Sequence, residues 1–344
     1  MGTTMLAVFA ASVLFGATLG AGFSWYNTCA SIGTAALVGL PIFTFEAFFV
    51  NSPLGVGFRR WPFSRFVAAR CAVWRAWIFV ATWLSHRWLW STEEVGWMSA
   101  DLWWTIAFSF TVSLVVVSAL TLSRLIGPGV FRNLLLGRYH TPTEERRALL
   151  FIDLADSTAI AERIGATRFL ALLNQFVYDI DAALEGGGGA IYRYVGDEAI
   201  ITWRLDETPD LSVAVEFVFR VRTRIADRGE AYRSRFGVLP DFRAALHAGP
   251  VVTGERGDSK LEIVLLGDTV NTTARIEQAS RELDRTFLVS AQALALTNLP
   301  KGVESERMPP ASLKGKSRQV QLYAIDRTAF AKRDERRHRT RIHA

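Results

Sequence analysis

Cysteine is scarce: two in 344 residues, Cys29 and Cys71, both in or beside apolar segments. Two such residues frame neither a disulfide scaffold nor a zinc site. Charge is thin in the first third, where ten of the eleven tryptophans lie between Trp25 and Trp104, leaving only Trp203 beyond. A tryptophan-rich, charge-poor stretch followed by a chargeable remainder reads as a membrane section joined to a soluble one. The length leaves room for both, since a domain takes roughly 100–200 residues. Histidine is scarce as well, five in the chain. His86 invites a haem reading, with one histidine from each protomer of a dimer. Flanked by Arg87 and Trp88, however, a single histidine there suits a membrane interface better.

The net charge of +6 does not point to nucleic acid. Lys332, Arg333, Arg336, Arg337, Arg339 and Arg341 stand against Asp334 and Glu335, so +4 of the +6 falls in the last fourteen residues. Residues 328–344 therefore read as a disordered basic tail, suited at most to anionic lipid headgroups, and no nucleic-acid partner is expected.

What the first third does have is long apolar runs: Met5–Phe23, Ala30–Val50, Cys71–Trp90 and Leu102–Ile126. Each approaches the ~20 residues that cross a hydrocarbon core, giving an expected α-helical bundle of four spans over residues 1–126. The first run lacks the basic start of a signal peptide, and three more follow it. Arg59, Arg60, Arg65 and Arg70 crowd the second link, Glu93, Glu94 and Asp101 the third, and Arg124, Arg132 and Arg138 follow the fourth run. The positive-inside rule then places the N-terminus and everything after the fourth span in the cytoplasm of a cell whose inner membrane holds the chain. Glu46 and Arg75 lie within apolar runs. Two readings stand for them: snorkelling near an interface, or a buried polar contact that a signal could alter.

Residues 127–147 read as a connecting segment, broken at Gly127-Pro128-Gly129 and at Thr141-Pro142, after which the pattern becomes mixed α and β. Ala148–Leu154 is a short, nearly continuous apolar run that suits a buried strand. Asp153 stands near its end, and Asp156, Ser157 and Thr158 supply capping chemistry for a following helix. The junction is either ordinary or a place to hold a metal-bound triphosphate, with the carboxylate on the cation and helix N–H groups on the phosphates. Ala190–Val195 and Glu198–Trp203 read as two strands joined by Gly196-Asp197. Asp197 either makes only the turn or is thrust towards Asp153, giving two carboxylates that share two Mg²⁺ ions for a phosphoryl transfer. In the run Gly267–Glu277, Asp268 or Thr269 caps a helix on which Asn271 and Arg275, four apart, share a face. An amide and a guanidinium so aligned suit a ribose oxygen and an α-phosphate.

Residues 147–325 resemble the catalytic domain of the class III nucleotidyl cyclases. The resemblance rests on Phe151-Ile152-Asp153-Leu154-Ala155-Asp156-Ser157-Thr158, on Tyr194-Val195-Gly196-Asp197-Glu198 and on Leu246-His247-Ala248-Gly249-Pro250-Val251. Gly267–Glu277 and Leu313-Lys314-Gly315-Lys316 complete it. It implies an α+β cyclase domain, here residues 148–327, with a ferredoxin-like βαββαβ core, working as a homodimer with shared active sites. Asp153 and Asp197 match the two metal-binding aspartates, expected to hold two Mg²⁺ or Mn²⁺. Asn271 and Arg275 match the pair that acts on ribose and transition state from the partner chain, and Lys314 a lysine that reaches the distal phosphates. Ser157 and Thr158 fall at the substrate's phosphates. The implied activity is conversion of ATP to 3′,5′-cyclic AMP and pyrophosphate by in-line attack of the 3′-hydroxyl. Four spans, a Leu134–His140 segment and a cyclase domain are similar to a group of bacterial membrane cyclases, with the connecting segment transmitting signals.

Two positions depart from the family pattern. Where adenylyl cyclases read the base with lysine this chain has Arg193, and where they have Asp or Thr it has Val264. Arginine keeps the charge but changes the geometry, and valine forms no hydrogen bond. Other or relaxed base choice, and a signalling module without turnover, are the alternatives. The Gly-Gly-Asp/Glu-Glu-Phe hairpin of diguanylate cyclases is absent.

Overall fold

The computed structural model describes residues 25–50, 55–59, 61–88, 107, 111, 114–119, 121, 123, 137–184, 186–258, 261–309 and 319–327. The chain divides into two compact units, Met1–Phe131 and Arg132–Ala344.

In the first unit, helix α1 (Trp25–Thr44) runs into a π-helical turn, Phe45–Val50. Pro41 sits inside α1. A helical proline removes one N–H and frees the carbonyl four residues earlier. That carbonyl, of Leu37, accepts the Trp77 indole N–H at 3.1 Å, so the defect becomes a contact with helix α2 (Phe63–Trp88). Ile42, Trp74, Ile78 and Val117 form the apolar centre. Among the described residues one helix is long and apolar enough to span a membrane, Ser64–Ser85.

One sequence expectation shifts here, and the two readings of Glu46 and Arg75 are decided. The third run begins as a helix at Phe63, not Cys71, so Arg65 and Arg70 belong to a helix rather than a link. Pro62 opens that helix, its carbonyl accepting the Phe66 N–H, and apolar residues at helical spacing carry it through both arginines. Glu46 forms a buried polar contact, with Arg70, whereas Arg75 is exposed. Met5–Phe23 lies outside the described residues, as do the side chain of His86 and most of Leu102–Ile126.

The second unit is a mixed sheet covered by helices. Its strands are β1 (Thr143–Leu154), β2 (Ala190–Val195), β3 (Glu198–Arg204), β4 (Phe242–Arg256), β5 (Glu262–Leu266), β6 (Phe287–Ser290), β7 (Val303–Arg307) and β8 (Leu322–Arg327). Their order is β2-β3-β1-β4-β6-β8-β7, with β5 paired to the far end of β4. Helices α3 (Ser157–Ile164) and α4 (Ala166–Leu184) link β1 to β2, and α5 (Ser212–Asp227) and α6 (Gly229–Phe236) link β3 to β4. The first four strands, antiparallel in the order β2-β3-β1-β4, make a βαββαβ unit of the ferredoxin-like kind.

β1 is buried on both faces, as its apolar run predicts. Leu150, Ile152 and Leu154 face a large core with Leu172 and Phe176 of α4 and Val215 and Phe219 of α5. Leu149 and Phe151 point the other way, to Val251 and Leu265. Each such side chain contributes about 1.5–3 kcal/mol through burial. β1 starts five residues before Ala148, inside the expected connecting segment. Its polar beginning is held by β4, in the register Thr143↔Thr253 to Arg147↔Gly249, and by Glu145, which accepts from Arg147, Tyr139 and Thr253. A strand fixed by cross-strand partners rather than by its own alternation leaves little periodic signal.

Candidate active site

The alternation that buries Leu149 and Phe151 also carries Asp153 to their face of the sheet. Its direct cross-strand partner is Glu198, the first residue of β3. Asp197 stands beside it in the two-residue hairpin, where Gly196 takes the positive φ of 64° that a side chain would resist. From above comes helix α7 (Asp268–Glu282), bringing Glu277 and Arg281. The Arg281 guanidinium donates from Nη2 to Asp153 Oδ2 at 2.8 Å and from Nε to Glu277 Oε1 at 3.0 Å. Burial, then Glu277 and Asp197, push the Asp153 carboxyl up to about 6 despite Arg281. Burial, then Glu277, Asp153 and Asp197, push that of Glu198 up to about 7. Four acids thus repel one another at the end of the central strands, with Arg281 ion-paired to two of them, Asp153 and Glu277. Like charges directly opposite on neighbouring strands are destabilising unless a cation offsets them.

The seat of α7 explains the string around His247. Gly267, with φ 137°, is the N-cap, and Asp268 is the first helical residue. Neither Asp268 nor Thr269 caps the helix as expected. Thr269 instead donates from Oγ1 to the Pro250 carbonyl at 2.6 Å, which docks the helix on β4. A Cβ at Gly249 would lie 2.6 Å from that hydroxyl oxygen, so only glycine admits this approach. Ile276 and Ala279 then pack on Ala245 and Leu288.

Asn271 is exposed and Arg275 half-buried on α7. Glu277, six residues after Asn271, points about 120° away around the helix axis. Within one chain, the guanidinium that meets Asp153 is therefore that of Arg281, and the Asn271/Arg275 pair shares another face. Ser157 and Thr158 open α3 four and five residues after Asp153. Asp156 holds the N-cap position in a left-handed conformation (φ 56°), yet its side chain makes no capping bond, contrary to expectation. In that conformation the carboxylate is not aimed at the first-turn N–H groups. Lys314 lies outside the described residues.

Arg193 and Val264 occur in a second cluster. Arg193, on β2, donates from Nη2 to Glu262 of β5 at 2.7 Å and lies 5.4 Å from the Tyr192 ring centre. Tyr192 Oη accepts the Leu265 N–H at 2.9 Å. Val264, between Glu262 and Leu266 on the same strand, is buried.

The sequence reading missed Glu198, Glu277, Arg281 and Glu262. Glu198 was signalled by its place beside the turn aspartate, and Glu277 and Arg281 by the same four-residue spacing as Asn271 and Arg275. Glu262 carried no local signal. Among the described residues no group of three or more His, Cys, Asp or Glu side chains is arranged to hold a metal ion. The carboxylate oxygens of Asp153 and Asp197 nonetheless fit a hard divalent cation, which would also relieve the repulsion that raises Asp153 and Glu198.

A sequence model described as "Adenylate and Guanylate cyclase catalytic domain" matches residues 140–327. The chain belongs to this family. The cyclase domain is similar to "Adenylate cyclase 2" of Rhizobium meliloti (strain 1021), 36% identical over 220 residues, covering 64% of this chain and 61% of that protein. It is also similar to "Retinal guanylyl cyclase 2" of Homo sapiens, 26% identical over 215 residues, covering 61% of this chain and 19% of the relative. The chain thus spans less than two thirds of these relatives. A solved bacterial light-regulated adenylyl cyclase shares the fold, with a TM-score of 0.56 at 16% identity, covering 67% of each chain.

Proposed function

We propose that the cyclase domain converts ATP into 3′,5′-cyclic AMP and pyrophosphate, in active sites shared between two copies of the chain. The acid cluster of Asp153, Asp197, Glu198 and Glu277 carries the reading, because mutually repelling acids, two of them buried, call for cations. Asp153 and Asp197 would hold two Mg²⁺ or Mn²⁺, which when bound lower the pKa of the attacking 3′-hydroxyl and neutralise the departing pyrophosphate. Backbone N–H groups at Ser157 and Thr158 take phosphate oxygens at the start of α3. Asn271 of the second copy orients the ribose. Its Arg275 donates to the α-phosphate as negative charge builds there. Lys314 takes the distal phosphates. The exposed Asn271 face of α7, turned away from its own Asp153, supports donation across a twofold interface.

The family match and the adenylate cyclase relative support the substrate class, and the guanylyl cyclase relative keeps base choice a matter for assay. The first unit anchors the enzyme in the inner membrane through four spans, with the N-terminus and the cyclase domain cytoplasmic. The helix Ser64–Ser85 supports one of these spans. Purified chain is to be incubated with ATP, GTP, CTP and UTP in Mg²⁺ or Mn²⁺. Cyclic AMP is the expected main product, and no cyclic product from any of the four defeats the enzyme reading.

A further inference from the structure

We infer that Arg281 is a resident counter-cation that a divalent metal ion displaces from Asp153, so that this residue sets the metal concentration at which the site loads. The inference rests on the metal role proposed above for Asp153. The Arg281 guanidinium holds two carboxylates at once, Asp153 Oδ2 through Nη2 at 2.8 Å and Glu277 Oε1 through Nε at 3.0 Å. Oδ2 is one of the two oxygens that Asp153 can offer a hard cation. A cation ligated to that oxygen and a guanidinium bonded to it are like charges on one atom, so the two compete. The contact also opens readily. The Arg281 side chain is 55% exposed, against 8% for Asp153 and 6% for Glu277. On leaving Asp153 the guanidinium moves into water, and its bond to Glu277, one turn back on α7, can persist. No buried positive charge is stranded by the exchange.

Holding the fold together does not account for this pair. Helix α7 is seated without Arg281, by the Thr269 bond to the Pro250 carbonyl and by Ile276 and Ala279 against Ala245 and Leu288. The same domain also shows how a carboxylate kept for structure is matched. Asp179, on α4, has a fully buried side chain and accepts from Arg224 at 3.0 Å, Arg228 at 3.1 Å and Tyr232 at 2.7 Å. There two arginines serve one carboxylate. At Asp153 the one arginine in contact, among the described residues, also serves Glu277. Asp153 is thus short of positive charge, and the charge it has is half in solvent.

The test measures Mn²⁺ binding to the full chain in detergent, without nucleotide, from the electron paramagnetic resonance signal of free Mn²⁺. The binding counted is that which Asp153→Asn abolishes. R281Q should bind Mn²⁺ ~10-fold more tightly than wild type, since a neighbouring unit charge commonly shifts an ionic equilibrium by that factor or more. R281K keeps a charge but loses the guanidinium's second donor arm, so its Kd should fall by a smaller factor, ~3-fold. Unchanged or weaker binding in R281Q overturns the inference, as does the absence of Asp153-dependent binding in both wild type and R281Q. Should R281Q fail to fold, R281K decides, and a Kd equal to or above that of wild type overturns it. The cyclase reading stands or falls separately, on the products made by wild type from the four nucleotides. Turnover by wild type with an unaltered Kd in R281Q sinks this inference alone; tighter binding in R281Q with no turnover by wild type sinks only the cyclase reading.

Discussion

Two guanidinium–carboxylate pairs mark the two units, and they solve opposite problems. In the helical unit Arg70 meets Glu46 in a two-pronged pair, at 3.0 and 2.8 Å, with side chains 1% and 3% exposed. Trp74 adds an N–H to Glu46, and Thr121 takes an N–H of Arg70. Cation and anion are matched one to one and wrapped in further hydrogen bonds, the condition under which buried charge is tolerated. In the cyclase domain Arg281 is 55% exposed and pairs with Asp153 and Glu277, while Asp197 and Glu198 add further negative charge around Asp153. One pair is balanced and closed. The other leaves negative charge in excess, which is what a cation-dependent site requires.

The comparison is broken most severely by deleting one acid from each region. Glu46→Ala strands a buried guanidinium and should cost about 3–5 kcal/mol, read as lost folded yield and early thermal unfolding of the detergent-purified chain. Asp153→Asn should do the reverse. It relieves repulsion, so the melting temperature of the cyclase domain should hold or rise, while turnover falls at least ~10³-fold, as for loss of a group acting only in the transition state. If Asp153→Asn unfolds the domain, the acid cluster is a structural network like the first.

A smaller effect concerns pH. The Asp153 carboxyl at about 6 and that of Glu198 at about 7 lie above the ordinary carboxylate range. Between that range and these values the folded state holds protons that the unfolded chain has released. These groups therefore weaken folding as pH rises from about 4 to about 7. In chelator the cyclase domain should melt lower at pH 7.5 than at pH 5.5, and the gap should narrow in Glu198→Gln. Added Mg²⁺ should raise the melting temperature more at pH 7.5 than at pH 5.5. A metal effect independent of pH would separate the raised carboxyls from cation binding.

The smallest effect sharpens the contrast at the base end. Arg193→Lys combined with Val264→Asp should raise selectivity for ATP by a few-fold, ~1 kcal/mol, measured as the ATP-to-GTP ratio of kcat/KM. No change in that ratio would mean that these positions do not face the base.

The same contrast explains how much was legible in the sequence. The buried strand at 148–154 and the hairpin over Gly196-Asp197 announce themselves locally, by a nearly continuous apolar run and by turn chemistry between two short strands. The helix at Asn271 and Arg275 follows from spacing. Charge partners do not announce themselves. Arg70 and Arg75 both lie in an apolar helix, and only the direction of the face decides: Arg70 shares its side with Trp74 and Ile78, whereas Arg75 lies about 100° further round from Trp74. Likewise Glu262 meets Arg193 across 69 residues, and Arg281 meets Asp153 across 128. The early start of β1 was hidden for a related reason, since polar Thr143–Arg147 is a strand only because β4 lies beside it.

In the proposed dimer the excess acid of one chain is completed by the amide and guanidinium of another. Mixing Asp197→Ala chains with Arg275→Ala chains, each inactive alone, tests it most directly by cyclic nucleotide production. In an equimolar mixture half of the dimers are heterodimers, each with one intact site of two, restoring roughly a quarter of wild-type activity. Heterodimers that form, as shown by co-purification through two tags, yet yield no product would contradict the account.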